Sequence, residues 1–377
     1  MFDYRGILIS VPLYTLGVLF LGASVSAGIF VFHVVVAPLI FRYSETFRRT
    51  IVFLNFVQWP FNIDFEDPSS CGVDGARNIQ LRYQSKIDNC PVRIGIWHIL
   101  PKTVYERLQD KLKLVDKDEL HRILDQELAN SKTPVVLYCH GNSNSRAASH
   151  RILLYKFFQN MDYHTIAFDY RGYGDSTNLT PSEAGVVEDS LFVYEWLHNI
   201  VTNKRDGTTP PVFVWGHSLG TGISSNLLGN LNELSSELLE RKTPLPLPRG
   251  LILEAPFNNM ADEVANYPLT RMATWLPYYD YAFIAPFRES KNFSFRSDRN
   301  LSRVRSVPVL ILHARDDQVV PYVVGERLYK SLLESRTHHG ADVTLHAYPS
   351  KDDLGHKYIV NAKDLPQIVG DFVNKNR

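Results

Sequence analysis

A chain of 377 residues can hold one large domain with an extension, or two domains. Lysine plus arginine number 40 and aspartate plus glutamate number 40, so no basic excess points to nucleic acid. Three cysteines are too few for a disulfide framework: Cys139 reads as a buried thiol, and Cys71 and Cys90 either pair in an oxidising compartment or stay free.

Between Arg5 and Arg42 there is no Asp, Glu, Lys or Arg. A helix needs about 20 apolar residues to span a bilayer, and Leu16 to Val36 supplies them. Val25-Ser-Ala27 resembles a signal-peptide cleavage site, but the apolar run continues past it through Val34-Val-Val36, which a signal peptide does not require. The reading is an uncleaved anchor over residues 1–45. Arg5 precedes it and Arg42, Arg48 and Arg49 follow, a bias that places the rest of the chain in the cytosol. Sequons at Asn178, Asn292 and Asn300 point instead to a lumenal side. Residues 46–75 form an aromatic juxtamembrane segment with Phe53-Leu-Asn-Phe-Val-Gln-Trp-Pro-Phe61 at its centre. It is too short to span and suits either the membrane surface or the domain.

Residues 76–377 read as the main domain. Ile79 to Tyr83 and Val92 to Trp97 alternate, as an antiparallel pair with one solvated face does. The charged stretch from Glu106 to Lys132 reads as a solvated helix or excursion. Unbroken apolar runs follow at Val135–Cys139, Thr165–Phe168, Val212–Trp215, Leu251–Leu253, Val309–Leu312 and Val343–Ala347, with helical patterns between most of them. Strands without alternation, separated by helices, predict a parallel sheet covered on both faces. The expected fold class is α/β, with an eight-stranded, mostly parallel sheet.

The expected fifth strand, Val212–Trp215, leads into Gly216-His-Ser-Leu-Gly220, and helical spacing resumes at Ile223, Leu227 and Leu228. G-x-S-x-G between a strand and a helix is the nucleophile elbow: glycines permit the tight turn and Ser218 is lifted into the open. A serine hydroxyl needs a base, and the base needs a carboxylate to fix its tautomer. Asp316 and Asp317 follow the seventh strand, at the edge where catalytic groups gather, and His356 follows the eighth. His338 and His339 precede that strand and His346 lies within it, on the wrong side. His217 reads as a packing residue. Oxyanion donors are expected from the backbone N–H groups of Leu219, after the nucleophile, and Asn142, in the loop after the third strand.

The insert at about residues 256–307, broken by Pro268, Pro277 and Pro286, is rich in aromatics. It reads as a lid whose Trp275, Tyr278, Tyr279 and Phe283 line an apolar slot, or else as a helical excursion packed on the domain.

The pieces Gly95-Ile-Trp-His98, Tyr138-Cys-His-Gly-Asn142, Phe168-Asp-Tyr-Arg-Gly-Tyr-Gly-Asp-Ser176, Trp215-Gly-His-Ser-Leu-Gly220, Leu310-Ile-Leu-His-Ala-Arg-Asp-Asp317 and Gly355-His-Lys-Tyr358 resemble the membrane-anchored α/β-hydrolases that act as lysophosphatidylserine and monoacylglycerol lipases. The resemblance runs from about Ile51 to the C-terminus. It implies a Ser218–Asp317–His356 triad, no metal or other cofactor, a single-chain lipid substrate and a lumenal hydrolase in the endoplasmic reticulum membrane. A sister branch shares Arg146-Ala-Ala-Ser-His-Arg151. Arg146 and Arg171 are further expected either to meet a lipid head group or to be structural. An acyl-protein thioesterase or general carboxylesterase would carry the same elbow and triad. A catalytically silent binding module usually loses one of the three residues, and all three are present.

Overall fold

In a computed structural model, residues 5–202, 209–337 and 340–377 are described. His338 and His339 therefore lie outside the described residues. The strands are β1 (Ala76–Gln84), β2 (Pro91–Ile99), β3 (Val135–Cys139), β4 (His164–Phe168), β5 (Val212–His217), β6 (Gly250–Glu254), β7 (Val309–Ala314) and β8 (Val343–Tyr348). They form one sheet in the order β1-β2-β4-β3-β5-β6-β7-β8. β2 runs antiparallel to both β1 and β4, and all other pairs are parallel.

Strands β3 to β7 are buried along their whole length, which is why their sequences do not alternate. Successive side chains still point to opposite faces. Leu137, Val214, Leu253 and Ile311 join one core layer, closed by helices Glu183–Val201 and Leu219–Gly229. Val136, Phe213, Trp215 and Leu310 join the other, closed by helices Ser149–Asn160 and Leu365–Asn376. The expectation of a solvated face on both early strands needs correcting. β2 is buried on both faces from Ile94 onward, because it sits inside the sheet between β1 and β4.

The charge-free N-terminus does not form the single helix expected over Leu16–Val36. Gly22 has φ 83, a conformation that favours glycine, and it turns helix Arg5–Leu21 back along the next helix. Tyr14 meets Phe30 edge-on at 5.4 Å across this hairpin. The continuous stretch Ala23–Tyr43 has 21 residues and is long and apolar enough to cross a membrane. At 1.5 Å per residue it measures about 31 Å, against about 30 Å of hydrocarbon.

The lower end of this helix is gripped by the insert. Phe41 packs on Phe283 at 4.8 Å, and the Tyr278 hydroxyl donates to the Val34 carbonyl. Arg42 pairs with Glu289 at 3.3 Å. Helix Glu45–Phe53 follows, started by Ser44, whose hydroxyl accepts from Phe47 N–H. It buries Val52 and Phe53 in the main core. The core thus begins well before residue 76, the boundary expected from the onset of strand alternation. Phe53→Ala should cost about 3–5 kcal/mol, whereas Phe56→Ala, at an exposed position, should change stability by less than about 0.5 kcal/mol. Thermal unfolding of the protein measures both; equal effects would place Phe53 outside the core.

Candidate active site

The elbow begins with β5, whose Val212 to Trp215 are driven into the core. At Gly216 a Cβ would lie 2.6 Å from the Gly220 carbonyl oxygen, and at Gly220 one would lie 2.6 Å from the Cys139 carbonyl carbon. Only glycine lets the strand and the helix Leu219–Gly229 pass so closely. Ser218 between them has φ 51 and ψ −119, a strained conformation that costs about 1–3 kcal/mol. The turn is pinned where Ser218 N–H donates to the Glu254 carbonyl at 2.9 Å and Thr221 Oγ1 donates to the Ser218 carbonyl at 2.6 Å. Ser218 Oγ has no hydrogen-bond partner among the described residues.

The two aspartates after β7 divide their work. Asp317 Oδ1 accepts from the N–H groups of Val319 and Val320 at 2.8 and 2.9 Å. Its Oδ2 accepts from His356 Nδ1 at 2.8 Å. A carboxylate only accepts, so in the neutral ring Nδ1 carries the proton and Nε2 keeps its lone pair. Burial alone would raise the Asp317 pKa. Hydrogen bonds and charge from His313 and His356 outweigh it and hold the carboxyl well below its usual range. Asp316 Oδ2 instead accepts from Gly355 N–H at 2.9 Å and fixes the backbone just before the histidine.

His217 is more than the packing residue expected from sequence. Its ring is buried, and Nε2–H donates to the His356 carbonyl at 2.9 Å. Burial, and then the neighbouring His356, push its pKa down to about 3, so it is neutral. The loop carrying His356 is thus held at three points, two from the β7 loop and one from the elbow. Sequence reasoning missed this because no local pattern marks a side chain bonded to a carbonyl 139 residues away.

Loop 140–145 is shaped by groups that hold its carbonyls. The Arg151 guanidinium donates to the carbonyls of Gly141, Ser143 and Ser145 at 3.3, 2.6 and 2.5 Å. Tyr173 donates to the Asn142 carbonyl at 3.0 Å. In a trans peptide C=O and N–H point oppositely, so pulling the Gly141 carbonyl toward Arg151 turns the Asn142 N–H away from it. A Cβ on Gly141 would lie 3.3 Å from Ser218 Cβ, which puts this loop against the elbow. Leu219 opens the elbow helix, where N–H groups have no partner within the helix.

The structure gives partners to several residues that the sequence leaves with two readings. Arg146 and Arg171 are fully buried and do not face the loop exits. Arg146 binds Asp169 and Asp175, each at 2.6 Å. Arg171 binds Glu188 at 2.7 Å and Asp189 at 2.8 Å, and it also pairs with Asp88. In the insert, Trp275 meets His33 edge-on at 6.3 Å, Tyr278 and Phe283 hold the N-terminal helix, and Tyr279 lies 5.6 Å from Phe283. Asn300 is buried on helix Ser297–Arg303, where its backbone packs against Gly229, so it offers no surface to a glycan. Asn292 is half-buried and donates to Glu45, while Asn178 is exposed. All three cysteines are free. His346 lies in β8 and pairs with Asp364 at 3.3 Å, away from this cluster. Arg171→Met leaves Asp189 and Glu188 buried without their cation and should cost about 3–5 kcal/mol. Urea unfolding of the variant checks this; a loss below about 1 kcal/mol would mean that the network carries little.

Residues 134–237 match the family model of the alpha/beta hydrolase fold. The chain is 35% identical over 336 residues to the lysophosphatidylserine lipase ABHD12 of Danio rerio, covering 89% of this chain and 79% of that protein. It is 36% identical over 341 residues to the protein of the same name from Rattus norvegicus, covering 90% and 77%. Protein ABHD12B of Homo sapiens is 32% identical over 326 residues, covering 86% and 80%. Among solved structures, an esterase of Pyrococcus furiosus superposes with a TM-score of 0.53 at 18% identity, covering 85% of this chain and 97% of that one. An alpha-beta hydrolase from Vibrio vulnificus gives 0.52 at 18% identity, covering 87% and 91%. Those structural likenesses speak for the fold alone, whereas the sequence relatives extend over most of both chains, and the chain belongs to the ABHD12 family of α/β-hydrolases.

Proposed function

We propose that this hydrolase is membrane-anchored and cleaves the acyl ester of single-chain lipids, lysophosphatidylserine and other lysophospholipids or monoacylglycerol, through an acyl-enzyme on Ser218. The observation that carries the reading is the 2.8 Å bond from His356 Nδ1 to Asp317 beside a strained elbow serine. The names borne by the relatives supply the lipid class. The apolar helix Ala23–Tyr43 supports delivery of substrate from a bilayer.

In the proposed cycle His356 Nε2 takes the Ser218 hydroxyl proton as Oγ bonds to the acyl carbonyl carbon. Negative charge moves to the carbonyl oxygen, which faces the Asn142 and Leu219 N–H groups. Asp317 stabilises the imidazolium without taking its proton. The ester C–O bond breaks, and the His356 proton passes to the departing glycerol oxygen. Water, deprotonated by the same nitrogen, then attacks the acyl-enzyme, releases the fatty acid and restores Ser218. The insert with Trp275, Tyr278, Tyr279 and Phe283 acts as a lid continuous with the anchor, so that the acyl chain is received beside the membrane helix. The hydrolase side is lumenal, in the endoplasmic reticulum, in keeping with the resemblance and with the exposed sequon at Asn178.

Ser218→Ala and Asp317→Asn should each lower kcat by about 10⁴ or more and, for Ser218→Ala, abolish labelling by a fluorophosphonate probe. Asp316→Asn, which touches only the backbone of Gly355, should lose far less. Turnover of a lysophospholipid panel by the anchored protein in vesicles reads all three. Near-normal activity of Ser218→Ala contradicts the mechanism, and activity on acylated peptides without activity on lipids replaces the lipase by a thioesterase. A glycosidase-sensitive mass at Asn178 reports the lumenal side; full cytosolic protease access reports the opposite one.

A further inference from the structure

Three large side chains just beyond the anchor stand in the open: Phe56 is 66% exposed, Trp59 69% and Phe61 68%. Apolar groups of this size are normally covered, and a cluster of them marks a binding surface. The segment that bears them is held firmly. Asn144 N–H donates to the Val57 carbonyl at 2.8 Å, and Asn144 Oδ1 accepts from Trp59 N–H at 2.7 Å. The Asn55 side chain donates to the Gly172 carbonyl at 3.2 Å. One Tyr173 hydroxyl donates to the carbonyls of both Phe53 and Asn142. The exposed rings are therefore fastened to the loop that carries Asn142, at the carboxyl edge of β3.

The same edge receives the anchor. The insert that follows β6 grips helix Ala23–Tyr43 through Phe283 and Tyr278, and only nine residues separate Tyr43 from buried Phe53. Along the helix, Phe32, Val35, Val36 and Leu39 are exposed, so an apolar outer surface leads from the spanning helix to the edge where the aromatic segment is tied. Trp and Phe at such a junction suit the headgroup level of a bilayer.

We propose that Phe56, Trp59 and Phe61 form a membrane-docking ridge whose occupant is the interface of the bilayer that the anchor spans, and that the ridge seats the mouth of the Ser218 site on that bilayer. The proposal rests on the lipid-hydrolase reading for its purpose but not for its detection. A substrate acyl chain then passes from the leaflet to the site without crossing water. The clip through Asn144 makes the ridge and the loop bearing Asn142 one body, so docking sets the height of the site above the lipid.

The test uses the full chain in phosphatidylcholine vesicles. Phe61→Cys is made with Cys71→Ser and Cys90→Ser and labelled with an environment-sensitive fluorophore. Leu114→Cys is the control: it is 87% exposed and lies beyond helix Lys102–Leu112, which leaves the end of β2, where Ile99 pairs with Thr165 at the opposite sheet edge. Lipids carrying a doxyl group near the headgroup should quench the label at position 61 at least 3-fold more than the label at 114. Phe56→Ser with Phe61→Ser should lower kcat/KM at least 10-fold on a lysophospholipid in vesicles and less than 2-fold on a short water-soluble ester. Equal quenching at the two positions, or equal loss on the two substrates, overturns the ridge. If the wild type cleaves soluble esters and no lipid, the lipase reading has failed and the quenching alone decides the ridge.

Discussion

The site depends on the close crossing of β3, β5 and the elbow helix. Helix Leu219–Gly229 passes over the end of β3 with so little clearance that a single carbon at Gly220 would collide with the Cys139 carbonyl. Because that carbonyl belongs to the sheet backbone, it cannot swing aside as a side chain would. The crossing forces Ser218 into its positive-φ conformation and brings the loop after β3 against the loop after β5. A strained serine and the loop that carries Asn142 are thereby set side by side by packing, before any side-chain hydrogen bond is counted. Stability elsewhere in the core maintains the strain, as expected where a residue is over-determined by its surroundings.

Buried charge performs the next task, that of holding loops which have no regular structure. Arg146 reaches Asp169 and Asp175, Arg151 collects three carbonyls of loop 140–145, and Arg171 gathers Asp189, Glu188 and Asp88. Each guanidinium reaches two or more acceptors with its planar fork, which a lysine could not match. Such pairs add little net stability, since desolvation offsets their attraction. Their value here is geometric: they orient the peptide planes of loop 140–145 and join it to the loop after β4. His217 extends the arrangement, tying the elbow to the backbone of His356.

Much of this was legible in the chain, and the reasons differ by feature. Strands β3 to β7 were readable because burial on both faces removes alternation, and the elbow because its glycines answer a local steric demand. His356 stood out among the histidines by following the last strand, and the structure joins it to Asp317. The hairpin at Gly22 is not legible, because an apolar run has the same composition whether it is straight or folded back. Phe53 was legible as aromatic but not as core, since its partner Phe295 lies 242 residues away in sequence. Whether Arg146 and Arg171 meet a head group or are structural is not legible, because a charge count does not reveal which carboxylates will be buried beside them. The burial of Asn300 was invisible for the same reason: a sequon is a three-residue pattern, while burial is decided by the whole fold.

The central claim is that Ser218 carries the acyl group. It is tested most directly by quenching the anchored enzyme with acid during turnover of a lysophospholipid and weighing the peptide that contains residues 212–229. The account predicts a mass increase equal to the acyl chain on Ser218, absent in Ser218→Ala. Turnover with no acylated peptide, or with the acyl group on another residue, would contradict it.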